Sequence, residues 1–133
     1  MTRYLLDTNI CIALIRHRNP NVLKRLSACT PGEAGISVIT LAELEFGVEK
    51  SARPAQNRIA LAAFCAPLEI FPYGESAASA YGAVRAKLES AGQPIGPLDT
   101  LIAAHGLSLD AIVVTNNERE FRRVTDLNVE NWI

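Results

Sequence analysis

In the stretch Arg3-Tyr4-Leu5-Leu6-Asp7-Thr8-Asn9-Ile10-Cys11-Ile12-Ala13-Leu14-Ile15, an apolar-rich run from Arg3 to Leu6 stops at a carboxylate, Asp7. Helix-like content then continues from Asn9 to Ile15, so the stretch predicts strand, turn and helix in succession. The alternation recurs downstream. Asn19-Pro20-Asn21 opens a helical stretch to about Cys29 that Thr30-Pro31-Gly32 terminates, and a brief strand follows over Gly35 to Val38. Thr40 to Lys50 is helical in pattern, Pro54 starts another helix through about Ala66, and Leu68 to Phe71 is a short apolar run flanked by Pro67 and Pro72. Glu75 to Ala91 is a long Ala-rich helix, Gly92 to Pro97 a loop, Leu98 to Leu109 helical again, and Ala111 to Val114 the clearest strand.

Helices alternating with short, almost wholly apolar strands imply strands buried on both faces, which is the habit of parallel sheets. The expected architecture is an α/β fold: a three-layer α/β/α domain on a short-stranded, mainly parallel sheet. With 133 residues, 49% of them hydrophobic and 20% charged, the chain suits one domain over 1–133 that buries a core without disulfides or a structural metal. It shows no repeats, linkers or low-complexity tracts. Nothing in it resembles a signal peptide or a membrane-spanning run, so a cytoplasmic location is expected. Cys11, Cys29 and Cys65 are widely separated among apolar neighbours and read as reduced core residues.

The formal net charge of −1 does not announce a nucleic-acid binder, so local sign matters more than the total. Basic residues gather at Arg16, His17, Arg18, Lys24 and Arg25 and again at Arg119, Arg122 and Arg123.

In open parallel sheets the functional crevice lies beyond the carboxyl ends of the strands. Asp7 occupies such a place, with Thr8 and Asn9 adding hydroxyl and amide groups; helix N-capping is the alternative role for that carboxylate. Glu43 has Ile39 four residues before it and Phe46 and Gly47 three and four after, so its helix-face neighbours are apolar and it needs a compensating partner such as a cation. Glu45 and Glu49 form an i, i+4 pair on what reads as the wet face. Asp99 follows Gly96-Pro97-Leu98 into the first turn of its helix, where the positive end of the backbone stabilises an anion with or without a metal. Three carboxylates at one rim are tolerable mainly when a divalent cation neutralises them, and all-oxygen ligation suits Mg²⁺ or Mn²⁺. Thr115-Asn116-Asn117-Glu118-Arg119-Glu120-Phe121 follows the last clear strand and contributes further polar groups, or ordinary turn and cap residues. His105 repeats the spacing of Leu101 and Ile102 and reads as a core or groove-wall histidine. Trp132 is expected to pack the C-terminus down.

Four segments now combine. Leu6-Asp7-Thr8-Asn9, Thr40-Leu41-Ala42-Glu43-Leu44-Glu45-Phe46-Gly47, Ile95-Gly96-Pro97-Leu98-Asp99-Thr100-Leu101-Ile102-Ala103-Ala104-His105 and Val114-Thr115-Asn116-Asn117 resemble, in order and spacing, the motifs of VapC toxins, a family of PIN-domain ribonucleases. The resemblance runs from Arg3 to Trp132. It implies a PIN fold and Mg²⁺- or Mn²⁺-dependent RNA cleavage. Asp7, Glu43 and Asp99 match the family's metal-binding acids, and Thr115 its hydroxyl after the last strand. Many PIN domains carry an aspartate where this chain has Asn117; Glu118 or Glu120 is then the candidate for the missing charge. The nearest likeness is to members that cut initiator tRNA in the anticodon region, which makes tRNA the expected substrate and inhibition of translation the expected outcome. The family also implies a homodimer and a VapB-like antitoxin whose tail fills the active groove and brings operator DNA binding.

On this reading one or two cations held by Asp7, Glu43 and Asp99 activate a water for in-line attack on a phosphodiester, leaving 5′-phosphate and 3′-hydroxyl ends. Positive side chains must offset the acidic pocket, and Arg16, Arg18, Lys24, Arg25, Arg85, Lys87 and Arg119 are the candidates for RNA contact. Two rivals stand beside it. A phosphatase of the haloacid dehalogenase type also begins with a strand ending in aspartate but needs a second aspartate two residues on, where this chain has Asn9. A catalytically silent PIN-like domain that only binds RNA or protein is motivated by Asn117.

Overall fold

A computed structural model describes residues 2–133. Its five strands are β1 (Tyr4–Leu6), β2 (Ala34–Ser37), β3 (Glu69–Phe71), β4 (Ile112–Val114) and β5 (Asn128–Glu130). The helices are α1 (Thr8–His17), α2 (Pro20–Ser27), α3 (Val38–Glu49), α4 (Pro54–Cys65), α5 (Glu75–Ser90), α6 (Pro97–Leu109) and the single turn α7 (Glu118–Phe121). Every strand pairing is parallel, in the order β3-β2-β1-β4-β5.

Alternation along the strands explains the three layers. Leu5 and Val113 face one core with Val84, Leu88, Ile102 and Phe121, whereas Leu6 and Val114 face the other with Ile10, Val22, Ile36 and Leu44. Thus α1 to α4 cover one face of the sheet and α5 to α7 the other. Leu5, Leu6, Val113 and Val114 are all 0% exposed, each contributing roughly 1.5–3 kcal/mol of burial. Two close approaches tighten these layers. A Cβ at Gly106 would lie 2.6 Å from Val113 Cγ2, so α6 packs on β4 only with glycine there. At Gly35 it would lie 2.5 Å from the Glu69 carbonyl oxygen, between β2 and β3.

Helix starts follow local chemistry. Asp7 caps α1, its Oδ1 accepting from the Ile10 N–H at 3.0 Å; Asn19 caps α2 from Oδ1; and Ser37 Oγ accepts from the Ile39 N–H at 3.0 Å to cap α3. Val38 therefore begins α3 instead of ending β2, because Ser37 turns the chain one residue earlier than the apolar run suggests. The expected strand-helix order holds, with α7 and β5 added. β5 is polar and lies at the sheet edge, anchored by Thr115 N–H donating to the Glu130 carbonyl at 2.9 Å. Just beyond it Trp132, 3% exposed, packs against Tyr4 with centroids 5.2 Å apart and planes tilted by 60°, and lies under Arg25 at 4.9 Å, which fastens the C-terminal segment to the sheet. All three cysteines carry free thiols; Cys11 is buried, and burial pushes its thiol well above the ordinary range. No helix among the described residues is long and apolar enough to cross a membrane.

Candidate active site

The chain leaves β1 for helices on one face and leaves β4 for the other, so the boundary between these neighbouring strands is the topological switch point. Leu6 pairs with Val114, which sets the next residues, Asp7 and Thr115, side by side. Thr115 Oγ donates a very short hydrogen bond to Asp7 Oδ2. Its direction follows from the other bond at that hydroxyl, because Thr115 Oγ accepts from the Asn117 N–H at 2.9 Å and its own proton is left for the carboxylate. Asp7 is thus both helix cap and site carboxylate, 4% exposed. Burial raises its pKa, the bonds from Thr115 and the backbone pull it back, and the Glu43 charge raises it again.

Asn117 builds the other half. Its Nδ2 donates to Asp99 Oδ2 at 3.2 Å and to Glu120 Oε2 at 2.9 Å. Asp99 stands in the first turn of α6, which Gly96 and Pro97 begin. Its pKa is raised to about 6, first by burial, then by the charges of Asp7 and Glu120, with a carboxyl–carboxylate contact to Glu120 adding to the shift. Asp7, Asp99 and Glu120 therefore share one pocket, and the amide where many PIN domains have an acid supplies the donor between two of them. Glu118, the other candidate for the fourth charge, is turned away to Arg122 at 3.0 Å and Asn131 at 3.3 Å, partners that hold its pKa below the ordinary range.

Glu43 joins by a different route, accepting from Thr8 Oγ at 2.7 Å from the middle of α3. Glu45 and Glu49 do stand on the wet face, where both take Arg58, at 3.4 and 2.6 Å. Asn9 reaches Asn116 at 3.4 Å and closes the rim between the two loops. All five expected site positions, Asp7, Glu43, Asp99, Thr115 and Asn117, thus lie around the switch point, with Thr8 and Glu120 completing the set. The Asn117–Glu120 hydrogen bond, visible only in the folded chain, is what distinguishes Glu120 from Glu118.

Among the described residues, no three His, Cys, Asp or Glu side chains close into a ready-made cation cage. The donor set is nonetheless all oxygen, three of its acids repel one another, and Mg²⁺ characteristically keeps several waters while taking only one or two carboxylates. The pocket fits a hydrated hard divalent cation and not a tight protein cage.

Of the basic residues, Arg16, Arg18, Lys24 and Arg119 are exposed and form no ion pair among the described residues. Arg25 is tied to Glu130 at 2.8 Å, Arg85 to Glu89 at 3.1 Å and to Tyr81 Oη at 3.0 Å. His105 is a buried core residue at 1% exposure, bonded through Nδ1 to Ser37 Oγ at 2.8 Å and edge-on to Tyr73. Its Nε2 is buried without a hydrogen-bond partner, and burial lowers its pKa, so it stays neutral.

A parallel α/β domain with an acid pocket at its switch point matches the PIN domain family over residues 4–127. The chain is 41% identical over 132 residues, 99% of each chain, to the tRNA(fMet)-specific endonuclease VapC of Shigella flexneri. Its structure superposes on a DNA-bound VapBC from Salmonella typhimurium with a TM-score of 0.95 at 39% identity, over 100% of both chains. On VapBC2 from Rickettsia felis, bound to a DNA fragment from its promoter, the TM-score is 0.92 at 38% identity, covering 99% of this chain and 100% of that one. The chain belongs to the VapC toxins of the PIN-domain family.

Proposed function

We propose that this protein is the toxin of a toxin-antitoxin pair, a metal-dependent endoribonuclease that cuts initiator tRNA in the anticodon region and so inhibits translation. The observation that carries this is the shared pocket: Asp7 tied to Thr115, and Asp99 and Glu120 bridged by Asn117 at 3.2 and 2.9 Å, crowd together at the switch point, which raises the Asp99 pKa to about 6. Such stored repulsion suits a site that exchanges protons for a cation. Full-length likeness to a relative named for its action on tRNA(fMet) supports the substrate.

Asp7, Glu43, Asp99 and Glu120 would hold Mg²⁺ or Mn²⁺. Such a cation lowers the pKa of bound water and stabilises charge on a phosphate. The chain's own groups do the rest. Thr115 favours the ionised form of Asp7 by donating to it, against the effect of burial, and Asn117 bridges Asp99 and Glu120 by donating to both. Thr8 orients Glu43. A water activated at these acids would attack the phosphodiester and leave 5′-phosphate and 3′-hydroxyl ends, whereas attack by the RNA's own 2′-hydroxyl would leave a 2′,3′-cyclic phosphate. Arg16, Arg18, Lys24 and Arg119 offer unpaired charge to the RNA backbone, with Arg25 and Arg85 available only by exchanging their present partners.

The partner is a VapB-like antitoxin through which operator DNA would be bound, supported by the DNA-bound VapBC complexes among the structural relatives; a toxin homodimer is the arrangement the family likeness implies. An antitoxin Arg or Lys among the acids would mimic the cation's charge and inhibit. The direct test incubates the antitoxin-free protein with initiator and elongator tRNA in Mg²⁺ and analyses the new ends. Cuts confined to the initiator anticodon region with 5′-phosphates are expected; 2′,3′-cyclic phosphates would refute the mechanism, and binding without any cleavage would favour a silent RNA-binding domain.

A further inference from the structure

Two sets of acids lie at the switch point with no side-chain hydrogen bond between them among the described residues. Thr8 holds Glu43 on α3, and Asn117 holds Asp99 on α6 together with Glu120. Asp7 feels the charge of Glu43, and its own charge reaches Asp99. Whether one cation can be shared by Glu43 and Asp99 therefore depends on how α3 sits against α6. Among the described residues, one side-chain hydrogen bond ties the start of α3 to α6, from Ser37 Oγ to His105 Nδ1 at 2.8 Å, with Ser37 0% and His105 1% exposed. The same hydroxyl caps α3 by accepting from the Ile39 N–H at 3.0 Å, so the bond grips the Glu43 helix at its first turn. Its other end grips the helix whose first turn carries Asp99. Edge-on contacts hold the imidazole, with Tyr73 at 4.9 Å and Phe71 at 6.4 Å between centroids, and Tyr73 Oη donates to the Leu101 carbonyl of α6 at 3.0 Å.

Counting donors and acceptors places the protons. His105 is neutral, because burial lowers its pKa. If Ser37 donates to Nδ1, the ring proton sits on Nε2 and that one N–H is left unpaired. If Nδ1–H donates to Ser37 instead, both the serine proton and the Nε2 lone pair lack partners. The first arrangement strands fewer groups. It still buries a polar nitrogen without a partner, which a leucine of similar volume would not do. Filling the core alone does not account for a histidine here; the acceptor that Nδ1 offers to Ser37 does.

We propose that Ser37 and His105 are positioning residues of the cleavage site: their buried hydrogen bond sets the spacing between Glu43 on α3 and Asp99 on α6, so that both acids reach one divalent cation. The inference rests on the metal-dependent ribonuclease reading and adds to it what holds the two sets of acids in register. Both side chains are buried and act through the helices they join. A shift of a reacting group by about 1 Å costs on the order of a hundredfold in rate, so a loosened brace is read in the chemistry before it is read in the fold.

The test uses the full chain, freed of antitoxin, cutting an initiator-tRNA anticodon stem-loop, with Mn²⁺ affinity measured by calorimetry on the RNA-free proteins. His105→Leu removes the acceptor and the unpaired nitrogen together and leaves the Ser37 cap in place. His105→Asn keeps an acceptor oxygen near the position of Nδ1. His105→Leu is expected to lower kcat and Mn²⁺ affinity on the order of tenfold to a hundredfold, with KM for RNA and melting temperature little changed, and His105→Asn to recover most of both losses. Ser37→Ala should cause a like loss, and the Ser37→Ala/His105→Leu double variant no more than either alone, since all three lack the same bond. Wild-type kcat and Mn²⁺ affinity in a folded His105→Leu protein overturn the brace, as do additive losses in the double variant or a loss in His105→Asn equal to that in His105→Leu. Should His105→Leu not fold, Ser37→Ala carries the same measurements, and ¹⁵N NMR of the wild-type imidazole adds a direct one: a neutral ring protonated at Nε2 is expected, and a proton on Nδ1 overturns the proposal. A wild-type chain that binds Mn²⁺ but cuts nothing overturns the ribonuclease reading, while the affinity loss in His105→Leu still upholds the brace.

Discussion

Replacing Asn117 with aspartate exchanges one NH₂ group for oxygen at the point where two acids meet. The Asn117 amide now donates to Asp99 at 3.2 Å and to Glu120 at 2.9 Å. Hydrogen bonds to charged groups are worth about 1.5–3 kcal/mol each, and the pocket's opening to water argues for the lower end. Losing both and adding a like charge should cost the metal-free protein ~3 kcal/mol, or roughly 10 °C in melting temperature for a domain of this size. The introduced carboxyl, flanked by two others, has a folded-state pKa above its unfolded value. Its penalty is therefore complete above that pKa and fades as pH falls, so the gap to wild type should narrow between pH 7.5 and pH 5. Saturating Mn²⁺ should narrow it too, because the added carboxylate binds the cation more tightly than the amide it replaces and the folded variant gains more from it than wild type does. Thermal unfolding by circular dichroism, at both pH values with and without Mn²⁺, reads all of this. Equal melting temperatures at pH 7.5 without metal, or a gap that widens toward pH 5, would refute the bridging role of Asn117.

The wild-type acid pocket carries its own pH signature. Asp99 has a folded pKa of about 6 against an ordinary value near 3.8, a ceiling of about 3 kcal/mol that partial exposure reduces to ~1–2 kcal/mol. The penalty is present above pH 6 and gone near pH 4, so urea denaturation of the metal-free chain should show higher stability at pH 5.5 than at 7.5; the opposite order contradicts the shared pocket. Neutralising Arg16 and Arg18 should flatten the slope of RNA affinity against log salt by about 1 to 2, an unchanged slope removing them from the RNA path. Gly106→Ala drives a methyl to within 2.6 Å of Val113 Cγ2 and should destabilise by roughly 1–3 kcal/mol, whereas a neutral effect in chemical denaturation would mean α6 stands further from β4 than described.

The four strands with apolar runs were legible because parallel strands buried on both faces read as continuous hydrophobic stretches. Leu5 and Leu6 point to opposite cores, and both had to be apolar. β5 was not legible: Asn128-Val129-Glu130 has no apolar run, and what makes it a strand is the ladder to β4 and the anchoring of Trp132. In the site, Asp7 and Asp99 stood out by their positions at a strand end and a helix start, whereas Thr115 and Asn117 entered through the likeness to the VapC motifs, since position alone favoured turn and cap residues there. Helix-face geometry singled out Glu43 from Glu45 and Glu49, and the structure agrees, giving those two to Arg58. The choice between Glu118 and Glu120 could not be made from spacing, since both lie in one short turn. Arg122 and Asn131, from outside the motif, pull Glu118 away and leave Glu120 to Asn117.

The central claim is cleavage of RNA by the acid pocket, and sequencing of new 5′ ends tests it most directly. The purified chain, freed of any bound antitoxin, is incubated with total cellular RNA in Mg²⁺ or Mn²⁺, beside EDTA and Asp7→Asn controls. Asp7→Asn keeps an oxygen that can cap α1 at the Ile10 N–H, so it folds while lacking the carboxylate. Discrete cuts in initiator tRNA, absent from both controls, are the predicted result. Intact RNA alongside a folded, metal-loaded protein, or cuts that persist in EDTA or in Asp7→Asn, would contradict it.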